Sequence, residues 1–67
     1  MGLQLNRIKT VLAEKKVSNQ WLAERLDKNA ATVSRWCTNA SQPSVEMLYQ
    51  IAQLLDIDIR ELLIKTK

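Results

Sequence analysis

The feature that most constrains the fold of this chain is a pair of short helical patterns within residues 18–37, SNQWLAERLDKNAATVSRWC. Ser18 is a suitable N-cap for the first pattern, and Asn29 is a suitable N-cap for the second. Asp27 and Lys28 supply polar turn residues between the two patterns. The stretch therefore predicts two helices that are joined by a tight turn.

Apolar spacing and capping residues predict three further helices, and no strand pattern competes with them. Apolar residues at three- and four-residue steps from Leu5 to Leu12 form one stripe on the first helix. Asp58 and Glu61 have the spacing of a capping box for the last helix. The five predicted helices are residues 3–15, 19–26, 30–37, 45–55 and 59–64. The expected fold is all-α, a compact five-helix bundle that forms a single domain over residues 1–67.

The composition fits a small globular protein and offers little material for catalysis. The chain has 46% hydrophobic residues with one glycine and one proline, which argues against disorder. One cysteine and no histidine argue against a disulfide, a metal site or another cofactor. No nucleophile stands beside a base, so we expect no catalytic residues and no enzyme activity.

Length and hydropathy limit the setting in which the protein can work. A 67-residue domain buries only about 60% of the surface of its unfolded chain, so a buried dimer face would stabilise it. This length leaves no room for a small-molecule effector domain. No apolar run approaches the roughly 18 to 20 residues of a membrane span. We therefore expect a cytoplasmic protein with no membrane contact.

The charge is distributed unevenly along the chain. Residues 1–37 contain seven Lys/Arg and three Asp/Glu, a balance of +4, whereas residues 38–67 contain three and four, a balance of −1. The basic half is the half that carries the two-helix pattern. Because phosphate contacts supply much of the affinity of proteins for DNA, this distribution is typical of a DNA-binding surface, although ordinary solvated surfaces also carry such a charge.

The third predicted helix, residues 30–37, has an unusual outer face. At 100° per residue its apolar side chains share one side, which places Ala31 and Arg35 near the centre of the opposite side. Ala30, Thr32 and Ser34 flank them, so the outer face is small except for one long cation. Such a helix can lie close to base edges in the major groove of DNA, where arginine can bind guanine O6 and N7. The alternative is that the alanines only favour helix and the arginine is only solvated.

Several short motifs along the chain occur together at a spacing that resembles one family. They are LAERL at 22–26, TVSRW at 32–36, Pro43 followed by Ser44, LYQIAQLLDID at 48–58 and ELL at 61–63. Together they resemble the Cro and lambda-repressor-like helix-turn-helix family, also called the xenobiotic-response-element type. The resemblance covers nearly the whole chain. It implies a five-helix bundle whose third helix enters the major groove of double-stranded DNA.

The resemblance also implies roles for individual residues. The positions that correspond to DNA base contacts in the family are Ala30, Ala31, Thr32, Ser34 and Arg35. The positions that correspond to phosphate contacts are Asn19, Lys28, Asn29, Thr38, Asn39 and Ser41. The chain departs from the family at Cys37, where glutamate is common, and at Asn39, where glycine is common. Asn39 must then form the left-handed turn that glycine forms elsewhere.

The end of the chain carries more aliphatic side chains than one short helix can bury. Six of them, Leu55, Ile57, Ile59, Leu62, Leu63 and Ile64, lie within ten residues. We expect Ile57, Ile59, Leu63 and Ile64 to form a homodimer interface. A two-fold dimer reads two half-sites about one DNA turn apart, which suits a stand-alone transcriptional regulator, most simply a repressor acting at the nucleoid.

Two other kinds of partner stay open at this stage. Relatives of this fold serve as antitoxins that bind a toxin, so the chain could be a protein-interaction module. Antitoxins commonly have a further segment for that purpose, whereas this chain stops at Lys67, soon after its last predicted helix. RNA binding is a weaker alternative, because specific RNA readers expose stacking aromatics and this chain has only Trp21, Trp36 and Tyr49.

Overall fold

The computed structural model describes residues 4–64 as four α-helices and one helical turn. The helices are Ile8–Lys15 (α1), Asn19–Leu26 (α2), Ala30–Cys37 (α3) and Val45–Leu55 (α4), and Ile59–Leu62 forms the 3₁₀ turn. The ranges of α2, α3 and α4 coincide with those predicted from the sequence. Residues 1–3 and 65–67 of the predicted domain lie outside the described residues.

The prediction of five helices is wrong, because the last predicted helix is not an α-helix. Residues 59–62 make 3₁₀ hydrogen bonds only, and Leu63 has extended backbone with φ −110° and ψ 151°. Leu63 forms an antiparallel bridge with Asn6, which pulls the chain out of helical geometry. Of the predicted range 59–64, only the first four residues are therefore helical in any form.

The first helix begins later than predicted. Residue 3 lies outside the described part of the chain, and the helix begins at Ile8, after an extended segment. The Arg7 N–H donates to the Leu62 carbonyl at 2.8 Å, and the Ile64 N–H donates to the Leu5 carbonyl at 3.2 Å. This pairing with residues 62–64 keeps residues 5–7 out of the helix, so Leu5 does not join the apolar stripe of α1 and is 50% exposed.

The starts of the helices follow the capping residues visible in the sequence. Each of four N-cap side chains accepts a hydrogen bond from a backbone N–H of the first turn. The pairs are Ser18 with Trp21, Asn29 with Ala31, Ser44 with Met47 and Asp58 with Arg60. These caps satisfy N–H groups that would otherwise lack an intrahelical partner.

Each α-helix is followed by a residue other than glycine whose backbone has the left-handed conformation. Lys16, Asp27 and Asp56, with φ between 56° and 59°, follow α1, α2 and α4 directly. Asn39, with φ 63°, follows α3 after one intervening residue. The left-handed turn expected at Asn39 is therefore present.

The core is a single cluster to which every helix and the 3₁₀ turn contribute. Its five largest fully buried side chains are Ile8, Leu22, Val33, Ile51 and Leu62. Trp36 and Cys37 are each 6% exposed, as the inner side of α3 predicts, and Trp21 packs partly buried against the cluster. A small domain that buries one shared core has little redundancy, so each buried methyl group matters.

We predict that Ile51→Val lowers the free energy of unfolding by about 0.5 to 1.5 kcal/mol, because it removes one methylene from a fully buried site. Val45→Ala on the same helix is the control, since Val45 is 75% exposed and its loss should stay within about 0.5 kcal/mol. Urea unfolding followed by circular dichroism measures both. Equal effects of the two substitutions would contradict the core described here.

Candidate nucleic-acid interface

The outer face of α3 is small, polar and exposed. Ala30, Ala31, Ser34 and Arg35 are exposed and Thr32 is half-buried. On the opposite side Val33, Trp36 and Cys37 are buried in the core. The structure thus brings all five predicted base-contact residues to one side of one helix, with the Arg35 guanidinium as its only long side chain. Alanine, serine and threonine allow the helix backbone to approach another surface closely.

Helix α2 holds α3 in place through apolar packing and one polar contact. Leu22 and Ala23 of α2 are buried in the same cluster as Val33. The Cys37 thiol donates a hydrogen bond to Asn19 Oδ1 at 3.3 Å, which joins the end of α3 to the start of α2. The short turn adds the bond from the Lys28 N–H to the Ala23 carbonyl at 2.8 Å. The two helices therefore form a unit of fixed geometry.

The predicted phosphate-contact residues lie at the start of α2, at the turn before α3 and in the loop after α3. Lys28, Asn29, Thr38 and Ser41 are exposed, whereas Asn19 is half-buried. Because Asn19 Oδ1 accepts from Cys37, the amide NH₂ is the group of Asn19 that remains to donate to a phosphate. The Thr38 hydroxyl donates to the Arg35 carbonyl at 3.2 Å, and the Ser41 N–H donates to the same carbonyl at 3.3 Å.

Asn39 differs from the other predicted phosphate contacts, because its side chain is engaged within the protein. Asn39 Oδ1 accepts from the backbone N–H groups of Leu5 and Asn6 at 2.8 and 3.0 Å. Its Nδ2 donates to the Asn6 carbonyl at 3.3 Å. Asn39 is therefore turned toward the extended segment before α1.

Within residues 4–64, no basic side chain of this surface forms an ion pair with an acidic side chain. Within residues 4–64 the one ion pair joins Arg60 and Asp58, at 3.1 Å. The hydrogen bond from Arg60 holds the pKa of the Asp58 carboxyl below its usual range and raises the pKa of Arg60. Arg25 stacks over Trp21 with its guanidinium carbon 5.4 Å from the ring centroid. Arg35 thus has no acidic partner in the described part of the chain, which suits a side chain that binds another molecule.

Comparison with known proteins agrees with this geometry. A family model described as helix-turn-helix matches residues 8–62. The chain belongs to the Cro/C1-type helix-turn-helix family. The chain is also similar to a protein of Bacteroides fragilis, described as a candidate DNA-binding protein, whose crystal structure is known. The two share 57% identity with a TM-score of 0.89 over 90% of this chain and 97% of the other. No curated protein matches this chain.

In this helix-turn-helix protein, the four residues predicted to form a dimer interface differ in their exposure. Leu63 and Ile64 are about two-fifths exposed and lie beside Leu5 in the extended pairing at the chain ends. Ile57 and Ile59 are half-buried and pack against the core. The sequence did not indicate Leu5 as a surface residue, because its spacing fits the apolar stripe of α1.

Two other kinds of site are absent from residues 4–64 of this helix-turn-helix protein. No group of three or more His, Cys, Asp or Glu side chains converges as a metal ion would require. None of the described helices has the length and apolar character needed to cross a membrane.

The sequence analysis missed one polar residue of this region. Asn6 is buried with 4% exposure and contacts the end of α3 through its side chain. The only signal for it was a polar residue directly after Leu5, within the predicted helix of residues 3–15. The partners of its Nδ2 group are 30 or more residues away, so no local pattern could reveal them.

Burial raises the pKa of the Cys37 thiol, and the nearby Lys9 charge opposes this only in part. The folded state therefore disfavours the thiolate, and its stability should fall as the pH rises above the ordinary thiol pKa of about 8.5. Cys37→Ser keeps a donor for Asn19 Oδ1 but does not ionise in this range.

We predict that the free energy of unfolding falls more for the wild type than for Cys37→Ser between about pH 8 and pH 10.5. Urea unfolding at several pH values measures this difference, and the serine variant accounts for every pH effect that does not come from the thiol. Parallel pH profiles for the two proteins would show that the thiol does not titrate differently on folding.

Proposed function

We propose that this protein is a sequence-specific transcriptional repressor that inserts α3 into the major groove of double-stranded DNA. The observation that carries the proposal is the outer face of α3, in which four small side chains surround one arginine that has no acidic partner within residues 4–64. The membership of this protein in the helix-turn-helix family and its similarity to a candidate DNA-binding protein support DNA binding in general.

Base recognition in this proposal rests mainly on Arg35. Its guanidinium can donate two parallel hydrogen bonds to O6 and N7 of one guanine. The methyl groups of Ala30, Ala31 and Thr32 can contact a thymine methyl, and Ser34 can reach either base edge or the sugar-phosphate backbone. Because few side chains of α3 can form hydrogen bonds, DNA shape should contribute a considerable share of the specificity.

Phosphate contacts in this proposal flank α3 on both sides. Asn19 lies at the start of α2, where backbone N–H groups and the helix dipole favour an anion. Lys28 and Asn29 lie at the turn before α3, and Thr38 and Ser41 lie in the loop after it. These contacts fix the register of the protein on the duplex but carry no base information. Asn39 contributes by shaping the loop, since its side chain bonds Leu5 and Asn6.

The same proposal includes a homodimer formed through the aliphatic end of the chain. Leu63 and Ile64 are exposed, Ile57 and Ile59 are half-buried against the core, and Leu5 adds to the exposed apolar surface. The surrounding groove carries both signs of charge, from Arg7 and Arg60 and from Asp58 and Glu61. A two-fold interface pairs each patch with itself, so a surface of mixed charge suits a second copy of the chain.

We predict that selection from a random duplex library at near-physiological salt enriches an inverted repeat with a guanine in each half-site. Arg35→Ala should then lose about 1 to 3 kcal/mol of binding free energy per half-site. Arg35→Lys is the matched control, because it keeps the charge but not the forked geometry that binds guanine. It should lose the preference for guanine while the salt dependence of binding stays close to that of the wild type.

Fluorescence anisotropy titrations on the selected duplex and on a guanine-substituted duplex measure these effects. If no sequence is enriched and binding falls steeply with salt for every variant, the protein only contacts phosphates. That result would reject base recognition by α3 and would favour a protein-interaction role instead.

We predict that Leu63→Asp converts the dimer into a folded monomer with weaker operator binding, because it places a charge in the apolar interface. Leu54→Asp is the control, since Leu54 is also a partly exposed leucine but lies near the end of α4, in a groove with Arg25 and Leu26. Sedimentation equilibrium measures the mass, and anisotropy measures the affinity. The interface would be contradicted if the wild type is monomeric both free and on DNA. It would also be contradicted if Leu54→Asp dissociates the dimer and Leu63→Asp does not.

A further inference from the structure

Asn6 is the only buried polar side chain among the described residues, and the proposed function does not use it directly. Its Nδ2 donates to the Trp36 carbonyl at 2.9 Å and to Gln42 Oε1 at 2.7 Å. Its Oδ1 accepts from the Ile8 N–H at 3.0 Å, at the start of α1. Both donors and the acceptor oxygen of the side chain are therefore in use, which is what burial of an amide requires.

Side chains of the loop after α3 also form hydrogen bonds with the backbone of the segment before α1. Asn39 Oδ1 accepts from the N–H groups of Leu5 and Asn6, and Gln42 Nε2 donates to the same oxygen at 3.1 Å. Asn39 Nδ2 donates to the Asn6 carbonyl. Three amide side chains, those of Asn6, Asn39 and Gln42, thus form one connected set of hydrogen bonds, which we call the amide network.

The amide network lies at the C-terminal end of α3. Trp36 belongs to the last turn of the helix, where carbonyl groups lack intrahelical partners. Its carbonyl accepts from Asn6 Nδ2 and from the Asn39 N–H at 3.1 Å. Asn6 therefore caps α3 from a distant segment of the chain, and it does so where the loop of residues 38–41 begins.

We propose that Asn6 is a positioning residue for DNA binding, which holds the end of α3 and residues 38–41 in the geometry that contacts DNA. The proposal rests on the proposed function, because Thr38 and Ser41 are assigned there as phosphate contacts. The side chains of Asn6 and Asn39 make five hydrogen bonds to backbone groups, and four of the five are to Leu5, Asn6 and Ile8. The segment before α1 thus acts as a brace for the DNA-contacting loop.

The brace is itself held by the end of the chain. The Arg7 N–H donates to the Leu62 carbonyl, and the Ile64 N–H donates to the Leu5 carbonyl. Residues 5–7 therefore have the amide network on one side and the extended pairing with residues 62–64 on the other. This double attachment explains how a short segment outside any helix can resist displacement of the loop.

Asn6→Asp tests the positioning of the loop while keeping the contact of this side chain with the start of α1. The carboxylate keeps an acceptor for the Ile8 N–H, so the start of α1 is retained. It loses both donors and places an oxygen against the Trp36 carbonyl and Gln42 Oε1, so the loop contacts are broken. Gln4→Glu is the matched control, because it makes the same change of amide to carboxylate at an exposed residue of the same segment.

We expect Asn6→Asp to weaken binding to the selected operator by about tenfold or more, against a change of about twofold or less for Gln4→Glu. The titrations are made at a temperature where circular dichroism shows each variant to be fully folded. In the free protein, amide chemical shifts and hydrogen exchange of residues 36–42 should change in Asn6→Asp and not in Gln4→Glu. Equal affinities of these two variants would overturn the positioning role.

A double-mutant cycle distinguishes positioning from a general loss of stability. If Asn6 acts through the loop, Thr38→Ala should cost much less affinity in the Asn6→Asp background than in the wild type. Additive losses would overturn the proposal, since a global effect on the fold does not depend on Thr38.

Asn39→Gly tests the same network if Asn6→Asp fails to fold. Glycine adopts a φ of 63° without strain, so the turn is kept while the side-chain bonds to Leu5 and Asn6 are removed. We expect a folded protein with the same changes in amide exchange over residues 36–42 and a similar loss of affinity. Unchanged affinity in Asn39→Gly would overturn the brace, whereas failure of the wild type to select any operator would reject the proposed function itself.

Discussion

The rest of the structure depends on the packing of the inner side of α3 against α2. An eight-residue helix is not stable alone in water, so α3 exists because Val33, Trp36 and Cys37 are buried in the shared core. The same burial turns the opposite side of α3 outward. Because side chains repeat about every 3.6 residues along α3, the residues that stabilise the core and the residues of the outer face are separated onto two sides of the helix. The thiol of Cys37 adds one contact between the end of α3 and Asn19 of α2.

The left-handed turns at the ends of the helices are formed by residues other than glycine. Its single glycine is Gly2, so all four left-handed turns in the described residues are made by larger side chains. Such backbone costs roughly 1 to 2 kcal/mol for most residues and less for asparagine or aspartate, whose short polar side chains bond locally. At position 39 asparagine has a further effect, because its amide reaches the segment before α1. A glycine there would form the turn without connecting the two segments.

The proposed DNA surface and the proposed dimer surface meet at residues 5–7. One side of this segment bonds the loop after α3, and the other pairs with the end of the chain, where Leu63 and Ile64 are exposed. A partner copy seated on Leu63 and Ile64 would restrain the same segment that supports the loop. In a domain of 67 residues, surfaces for two partners cannot be structurally independent, because few layers of side chains separate them.

The sequence by itself determined the features that depend on neighbouring residues. These are the ranges and N-caps of α2, α3 and α4 and the buried side of α3. They also include the outer face of α3, which collects Ala30, Ala31, Thr32, Ser34 and Arg35. Helical periodicity and capping act within four residues, so they can be read locally. Only the tertiary structure decided that α1 begins at Ile8, that residues 59–62 form a 3₁₀ turn, and that Asn39 faces inward. Each of these depends on hydrogen bonds between residues 33 or more positions apart, which lie beyond the reach of any local pattern.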